Sequence, residues 1–182
     1  MLRVFAVTAS LSMTACIFYQ PIVADEDEGA DEAETEDSED DTTGYHPCGP
    51  TQGVVDFVLD GDTVQLTTGE RVRYILVDTP ETSPDNNECW GEQATNFNWE
   101  MVAKQTVTLE YDAECKDIYG RLLAYVSVDG VEVNRALLEN GHACVLHIPP
   151  NGSARLSEYL GLEAQAQEAG AGLWSGCGSA PC

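Results

Sequence analysis

Two closely spaced turn signals divide the middle of the chain into short segments. Asp60-Gly61 and Thr68-Gly69-Glu70 have the composition of turns that join strands. The segments around them are apolar-rich or alternate between apolar and polar residues: 54–59, 63–67 and 71–77. Short segments of this kind, separated by glycine-containing turns, are typical of antiparallel strands. The sequence therefore predicts a three-stranded meander between residues 54 and 77.

Three later stretches have helical patterns. Residues 89–104 carry apolar side chains at helical spacing, and Val133 to Glu139 is typical of a short helix that ends at Gly141. Ser153 is placed to cap a last helix that runs to about Ala169. The apolar face of that helix is predicted to contain Leu156, Tyr159 and Leu160.

The remaining segments are strand-like. Residues 106–111 and 121–128 are rich in β-branched or aromatic side chains, and residues 143–148 form a short extended run. Five strands, interrupted and followed by helices, indicate an α+β domain. A small closed barrel of the OB type fits this strand count, but the pattern alone does not select it.

The N-terminal segment, residues 1–24, is interpreted as an export signal. It has one basic residue, Arg3, followed by an apolar run and then small residues. Met13-Thr14-Ala15-Cys16 resembles a bacterial lipoprotein box, in which Cys16 would be lipidated and attach the chain to a membrane. Ordinary cleavage after Ala24 is the alternative, and an uncleaved anchor helix is disfavoured by Gln20-Pro21. Each of the first two readings places the mature chain in the bacterial cell envelope or outside the cell.

A strongly acidic segment follows. Residues 25–44 contain 12 acidic residues, no basic residue and no large apolar side chain. Such a segment cannot bury enough apolar surface to offset the entropy cost of ordering it. We interpret residues 25–50 as a disordered acidic tether. The folded domain is placed at residues 51–176, with a short C-terminal tail at 177–182.

The folded part is acidic as well. From residue 45 onward, seven Lys and Arg stand against 20 acidic residues, which leaves a net charge of −13. Proteins that bind nucleic acid usually carry a basic surface, so the charge argues against such a partner. Electrostatic steering of a polyanion would be poor at low salt and would improve with screening. The alternative interpretation is that the acidity serves solubility alone.

Carboxylates recur at the predicted strand ends. Asp60 and Asp62 flank the first turn, and Asp78-Thr79-Pro80-Glu81 follows the third strand. Oxygen ligands of this kind suit calcium. An EF-hand is excluded, because Val64 and Gln65 fall where that loop needs an oxygen ligand and a glycine.

Arg73 and Arg121 are the two candidates for binding a phosphate. A guanidinium group donates two parallel hydrogen bonds to phosphate oxygens and stays charged at any relevant pH. Together with the four acidic residues named above, the two arginines leave an excess of two negative charges. One divalent cation would neutralise this set.

These motifs, in this order, resemble the thermonuclease (staphylococcal nuclease) family. The matching stretches are Asp60-Gly61-Asp62-Thr63-Val64, Arg73, Val77-Asp78-Thr79-Pro80-Glu81-Thr82, Trp90-Gly91-Glu92-Gln93-Ala94, Asp117-Ile118-Tyr119-Gly120-Arg121, Asn134 with Leu137, Glu163-Ala164 with Ala166, and Gly172-Leu173-Trp174. The resemblance covers roughly residues 53–175, and several motifs in one order are far more specific than one alone. It implies an OB-type five-stranded β-barrel with three helices.

The resemblance also implies a role for each motif residue. Two carboxylates and one backbone carbonyl would bind Ca²⁺: Asp62, Asp78 and Thr79. Arg73 and Arg121 would bind the phosphate, and Glu81 would take a proton from an attacking water. Tyr119 would hydrogen-bond a phosphate. The implied reaction is the hydrolysis of DNA and RNA phosphodiester bonds to 3′-phosphate products.

The chain departs from the family where nucleotides are contacted. Ile118 stands where the best-known members carry a lysine, and His147 and Pro149 fall near positions of nucleotide-contacting tyrosines. His147 would either stack on a base or lie at the rim of the site, and we favour the rim.

The cysteines are interpreted as disulfide-bonded. Six remain if Cys16 is lipidated or removed, and exported chains oxidise their cysteines. The fold resemblance places two of them at the rim of the site and so suggests the pairing Cys89–Cys115, with Cys144–Cys177 and Cys48–Cys182 following from it.

Two alternatives to a nuclease stay open. A non-catalytic surface module that binds nucleic acid or protein on the same fold is favoured by the acidic charge and the missing tyrosines. A phosphodiesterase for small nucleotides would need less positive surface. The intact set of carboxylates and arginines favours the exported, calcium-dependent nuclease.

Overall fold

A computed structural model describes residues 45–83 and 85–182. The export signal at 1–24 and residues 25–44 of the acidic tether lie outside the described residues. The strands are β1 (Tyr45–His46), β2 (Gly49–Pro50), β3 (Gln52–Val58), β4 (Thr63–Leu66), β5 (Arg71–Tyr74), β6 (Thr82–Ser83), β7 (Asn86–Asn87), β8 (Thr106–Lys116), β9 (Leu122–Val128) and β10 (Val131–Glu132). The helices are α1 (Gly91–Val102), α2 (Val133–Glu139), α3 (Leu156–Ala169) and α4 (Leu173–Gly176).

Five strands close into a barrel. Strand β3 pairs with β4, β4 with β5, β5 with β9, β9 with β8, and β8 again with β3. All of these pairs are antiparallel except β5–β9, which is parallel. With α1, α2 and α3 around it, the barrel confirms the predicted α+β fold of the OB type.

The meander predicted from the two turn signals is confirmed. Strands β3, β4 and β5 are consecutive antiparallel neighbours, with Val58 opposite Val64 and Thr63 opposite Arg73. Val72 and Tyr74 of β5 are buried, whereas Arg71 and Arg73 alternate with them. This alternation sends the two arginines to the outer face of the barrel wall.

Two buried asparagines join the helices to the barrel. Asn98 of α1 accepts a hydrogen bond from the Tyr74 hydroxyl at 2.9 Å and donates to the Asp60 carbonyl at 3.1 Å. Asn134 of α2 accepts from the backbone N–H of Val126 at 2.9 Å and donates to the Ile75 carbonyl at 2.9 Å. Both side chains are fully buried, so these polar contacts satisfy backbone groups that water does not reach.

The prediction for the start of the last helix was wrong. Helix α3 begins at Leu156 with Arg155 in the capping position. The Ser153 hydroxyl donates instead to the Pro150 carbonyl at 2.9 Å, within the turns that precede the helix. The predicted apolar face is also corrected, because Tyr159 is buried but Leu160 is 47% exposed.

Three disulfides form among the six cysteines of the described residues, as their even number predicts, but the suggested pairing was wrong. The bonds are Cys48–Cys115, Cys89–Cys177 and Cys144–Cys182. The chain after α4 runs back along the start of α1, where Gly176 packs on the Trp90 ring. This path brings Cys177 to Cys89 and leaves Cys115 to bond the N-terminal β1–β2 hairpin.

The two ends of the described chain are thus tied to the barrel. Residues 45–50, at the end of the interpreted tether, form the β1–β2 hairpin that carries Cys48. The C-terminal segment 177–182 is held by its two cysteines. None of the helices in the described part of the chain is long and apolar enough to cross a membrane.

Replacing Asn98 by alanine should destabilise the fold. The change leaves the buried Tyr74 hydroxyl and the Asp60 carbonyl without their partner, which should lower the free energy of unfolding by about 1–3 kcal/mol. Chemical denaturation measures the loss. The double variant Asn98→Ala/Tyr74→Phe is the control. It should lose less than the sum of the single variants, because it removes both partners. Strict additivity would contradict this account.

Candidate active site

Arg73 lies at the centre of the candidate site. Its Nη1 donates to the carbonyls of Tyr74 at 2.9 Å and Val77 at 2.5 Å. Its Nε lies 3.1 Å from Asp62 Oδ1, and its Nη2 donates to Asp78 Oδ1 at 2.8 Å. The side chain is only 13% exposed. One guanidinium therefore holds the start of β4 and the chain after β5 together.

Asp62 is the more buried of the two carboxylates. It is 5% exposed, and its Oδ2 accepts hydrogen bonds from the Thr79 N–H at 2.9 Å and the Thr79 hydroxyl at 3.1 Å. Its Oδ1 also accepts from the Thr63 hydroxyl at 3.0 Å. A Cβ on Gly61 would lie 2.7 Å from the Thr79 side chain, so the turn residue must be small. The Asp60-Gly61 turn signal thus coincides with a close approach of two site segments.

Asp78 is fixed through its backbone. Its N–H donates to the Cys144 carbonyl and its carbonyl accepts from the Cys144 N–H, both at 2.9 Å. The Asp78 side chain is 38% exposed. Burial raises the pKa of this carboxyl, Arg73 opposes the shift, and the charges of Asp62 and Glu88 reinforce it, so that the net pKa is raised.

Asp60 is partly buried and lies two residues before Asp62. Burial, and then the charge of Asp62, raise the pKa of the Asp60 carboxyl to about 7. Asp60 Oδ1 accepts a hydrogen bond from the Asp62 N–H at 3.1 Å. The side chain thus supports the backbone that carries Asp62.

Glu81 stands on an exposed loop beside the two carboxylates. Burial raises the pKa of Glu81, and the charges of Asp62 and Asp78 raise it further. The loop is closed by Glu88, whose Oε2 accepts from the Glu81 N–H at 2.9 Å and whose N–H donates to the Glu81 carbonyl at 2.9 Å. A Cβ on Gly91 would lie 2.4 Å from that carbonyl. The Glu81 backbone is therefore clamped from two sides.

Arg121 is oriented by a turn. Asp117 Oδ2 accepts from Arg121 Nε at 2.6 Å, and its Oδ1 accepts from the N–H groups of Tyr119 at 2.9 Å and Arg121 at 3.0 Å. Burial raises the pKa of Asp117, but the hydrogen bonds from Arg121 outweigh it and the net pKa is lowered. The Arg121 guanidinium lies 5.5 Å from the centre of the Tyr119 ring.

A cleft of about 400 Å³ lies beside the two arginines, and Asp62, Asp78, Thr79 and Glu81 are not among the residues that line it. Arg73, Arg121 and Tyr119 all line it, and Leu146 and Ile148 form part of its apolar wall. His147 lies between these two residues in the chain but is not among the lining residues. Its Nε2 lies 3.2 Å from the Ser153 hydroxyl instead.

The structure thus brings together most of the predicted site residues. Arg73 contacts both Asp62 and Asp78, and Thr79 contacts Asp62. Arg121 and Tyr119 share a cleft with Arg73, and Glu81 is coupled to the carboxylates through their charges. His147 does not line this cleft, and its ring contacts Ser153 instead.

The carboxylate oxygens of Asp62 and Asp78 are of the kind that bind a hard cation. No cluster of three or more His, Cys, Asp or Glu side chains within residues 45–83 and 85–182 is arranged to hold a metal. The expected set contains only two such side chains, Asp62 and Asp78, and both touch the same guanidinium. Two carboxylates that contact the same guanidinium, together with the backbone of Thr79, suit a hard cation completed by other oxygen ligands.

Two positioning residues had no predicted role. Asp117 belongs to a motif noted in the sequence, but its contacts with Arg121 depend on the turn that Gly120 closes at φ 78°. Glu88 had no sequence signal, because the short β6–β7 hairpin that brings it opposite Glu81 was not predicted from the sequence.

The chain is similar in sequence to known proteins over the region that contains most of the site residues. The family model described as "Staphylococcal nuclease homologue" matches residues 71–176, which include Arg73, Asp78, Glu81 and Arg121. The thermonuclease of Staphylococcus intermedius is 42% identical over 121 residues, which cover 63% of this chain and 72% of that protein.

Two endonucleases of Bacillus subtilis (strain 168) are also similar. The SPbeta prophage-derived endonuclease YokF is 37% identical over 127 residues, 66% of this chain and 43% of that protein. Endonuclease YncB is 37% identical over 130 residues, 68% of this chain and 62% of that protein. The chain therefore spans less than two thirds of the length of these two relatives.

Replacing Gly61 by alanine should disturb the Asp62–Thr79 contact. The new Cβ would meet the buried Thr79 side chain, and overpacking of this kind should lower the free energy of unfolding by about 1–3 kcal/mol. The control is Gly161→Ala in α3, where no atom lies within 4 Å of a Cβ and helix propensity should add up to about 1 kcal/mol. Equal stabilities of the two variants in urea would contradict the close approach.

Proposed function

Because the chain belongs to the staphylococcal nuclease family, we propose that it is a metal-dependent nuclease that hydrolyses phosphodiester bonds. The observation that carries the proposal is the position of Arg73, which touches both Asp62 and Asp78 and opens onto the cleft lined by Arg121. Two guanidinium groups at one cleft, one of them in contact with a pair of carboxylates, suit a phosphodiester undergoing attack.

The two arginines bind and stabilise the phosphate. Negative charge grows on the equatorial oxygens as the phosphorus becomes five-coordinate, and guanidinium donors fixed beforehand stabilise that state more than the substrate. Arg73 is fixed by two backbone carbonyls and Arg121 by Asp117. Tyr119, 78% exposed at the cleft, is placed to contact the substrate beside Arg121.

Glu81 is the proposed general base. A base works best when its pKa lies near the working pH, and burial with two neighbouring carboxylates raises the pKa of Glu81 in that direction. Its exposed position lets it reach a water at the phosphate.

Asp62, Asp78 and the Thr79 carbonyl would hold the metal, for which we propose Ca²⁺. When bound, the ion would supply positive charge to the phosphate oxygens and relieve the repulsion between the carboxylates. His147 is proposed as a rim residue rather than a base-stacking one.

The further features of the proposal rest on sequence. The products would be 3′-phosphate ends from DNA or RNA, and the enzyme would be exported, with lipidated Cys16 as its membrane attachment. Three disulfides support an oxidising compartment.

A non-catalytic surface module is the second candidate function. The observation in its favour is the net charge of −13 from residue 45 onward, which opposes a polyanion. A phosphodiesterase for small nucleotides is less disfavoured by this net charge, because it would need less positive surface to bind its substrate.

An assay of DNA degradation by wild type and by Glu81→Gln tests the proposed function and the role of Glu81. The purified chain is incubated with a single-stranded DNA oligonucleotide at moderate salt, with Ca²⁺ or with a chelator. Wild type should degrade DNA only with Ca²⁺, and Glu81→Gln should lower kcat by about 10²- to 10⁴-fold, because the base is lost. Products are assigned by their terminal phosphate. Degradation by Glu81→Gln at the wild-type rate would exclude Glu81 as the base, and a folded wild type inert with every divalent ion would favour the binding module.

Glu88 provides a test of how Glu81 is positioned. Glu88→Ala removes the acceptor of the Glu81 N–H and should lower kcat by about 10- to 100-fold, because a small displacement of a catalytic group is costly. Glu88→Gln keeps an acceptor oxygen and should retain most of the activity. KM should change little in both variants. Equal kcat values for alanine and glutamine would show that the bond does not position Glu81.

A further inference from the structure

The basic side chains of this acidic domain differ in whether they form ion pairs. Three of the seven Lys and Arg from residue 45 onward pair with carboxylates that do not line the cleft, and two pair at the site. The paired residues are Lys104, Arg135 and Arg155, and Arg73 and Arg121. The remaining two, Arg71 and Lys116, form no ion pair with any described residue. Both side chains are exposed.

Arg71 and Lys116 line the same depression. This second groove, of about 510 Å³, is bounded by Glu70, Arg71, Lys116, Tyr119 and Arg121. Three of these residues, Lys116, Tyr119 and Arg121, also line the cleft. The second groove is therefore continuous with the cleft around the turn at residues 117–121.

The strands explain why the two cations meet there. Arg71 lies two residues before Arg73 in β5, and the alternation of the strand sends both to the outer face. Lys116, the last residue of β8, pairs with Leu122, which in turn pairs with Val72 across β9 and β5. The two unpaired cations thus border the phosphate-binding arginines on the same side of the barrel.

Glu70 is the opposing charge in the second groove. A hydrogen bond with Thr68 lowers the pKa of Glu70, so this carboxylate is ionised at neutral pH. Its single negative charge is outnumbered by the charges of Arg71 and Lys116. In a domain with a net charge of −13, this leaves a local surface of positive sign next to the site.

We propose that the second groove binds a backbone phosphate of the same nucleic-acid strand, next to the one that is cleaved. The assignment rests on the proposed function and deepens it, because it makes the substrate a single-stranded oligonucleotide or polynucleotide rather than a small nucleotide ester. Arg71 and Lys116 contact phosphate and carry no base preference. Tyr119, at the junction of cleft and groove, offers an exposed ring on which a base can stack.

The test measures binding apart from cleavage. The full chain, with its disulfides intact, carries Glu81→Gln so that DNA survives, and binds a fluorescent single-stranded DNA 12-mer with Ca²⁺ present. Anisotropy gives Kd between low and moderate salt. The variant Arg71→Ala/Lys116→Ala should raise Kd by about 10-fold or more and reduce the slope of log Kd against log salt by about 0.7, since one single-strand phosphate contact contributes about 0.7.

A charge-matched variant is the control. Lys104→Ala/Arg135→Ala removes the same two charges from surface ion pairs remote from the cleft, and should leave Kd and the salt slope close to the parent. If circular dichroism shows that the groove variant is unfolded, Lys116→Gln alone replaces it, and a smaller change in slope is expected.

The binding experiment tests whether the second groove binds phosphate, and it does so whether or not the chain cleaves DNA. A groove-specific loss of affinity and slope supports the proposal, even if wild type proves inert as a nuclease. Equal changes in the two double variants would reduce the effect to net charge and overturn it, and an unchanged Kd in the groove variant would overturn it as well. In active wild type, the groove substitutions should raise KM for the 12-mer and leave kcat unchanged.

Discussion

The partly buried guanidinium of Arg73 makes the contacts on which the site depends. It touches Asp62 and Asp78 and binds two backbone carbonyls at the end of β5. Two carboxylates so close together repel each other, and the arginine between them offsets much of that repulsion. The same contacts present a phosphate-binding group at the mouth of the cleft. Structural charge balance and the proposed chemistry therefore rest on one side chain.

The barrel strands fix the positions of the site residues, and the disulfides hold the loops that flank the site. Asp62 immediately precedes β4, and Thr63 of β4 pairs with Arg73 of β5, so the separation of Asp62 and Arg73 follows from strand register. The flanking loops lack such support. Each disulfide lies beside one of them: Cys144 pairs its backbone with Asp78, Cys89 follows Glu88, and Cys115 precedes the turn that orients Arg121. Cross-links of this kind restrict loops that have few buried contacts of their own.

Sequence patterns predicted the parts of the molecule that depend on local order. The meander followed from turns and alternation, whereas the closed barrel and the group formed by Arg73, Asp62 and Asp78 followed from the family resemblance that the order of the motifs carries. The disulfide pairing and the start of α3 did not, because they depend on where the chain returns after α4 and on a side-chain bond within the turns around Ser153. The clamp by Glu88 and the unpaired state of Lys116 likewise depend on tertiary contacts that leave no periodic pattern.

Calorimetric titration of the purified chain with Ca²⁺ tests most directly whether the carboxylates at Arg73 form a cation site. The account predicts one ion bound per chain, an unfolding temperature that rises with Ca²⁺, and an affinity at least about 10-fold weaker in Asp78→Asn, which removes a charged ligand. Asp56→Asn, at a surface ion pair with Lys104, is the matched control and should bind as wild type does. Absence of binding, or equal affinity in Asp78→Asn and wild type, would contradict the account.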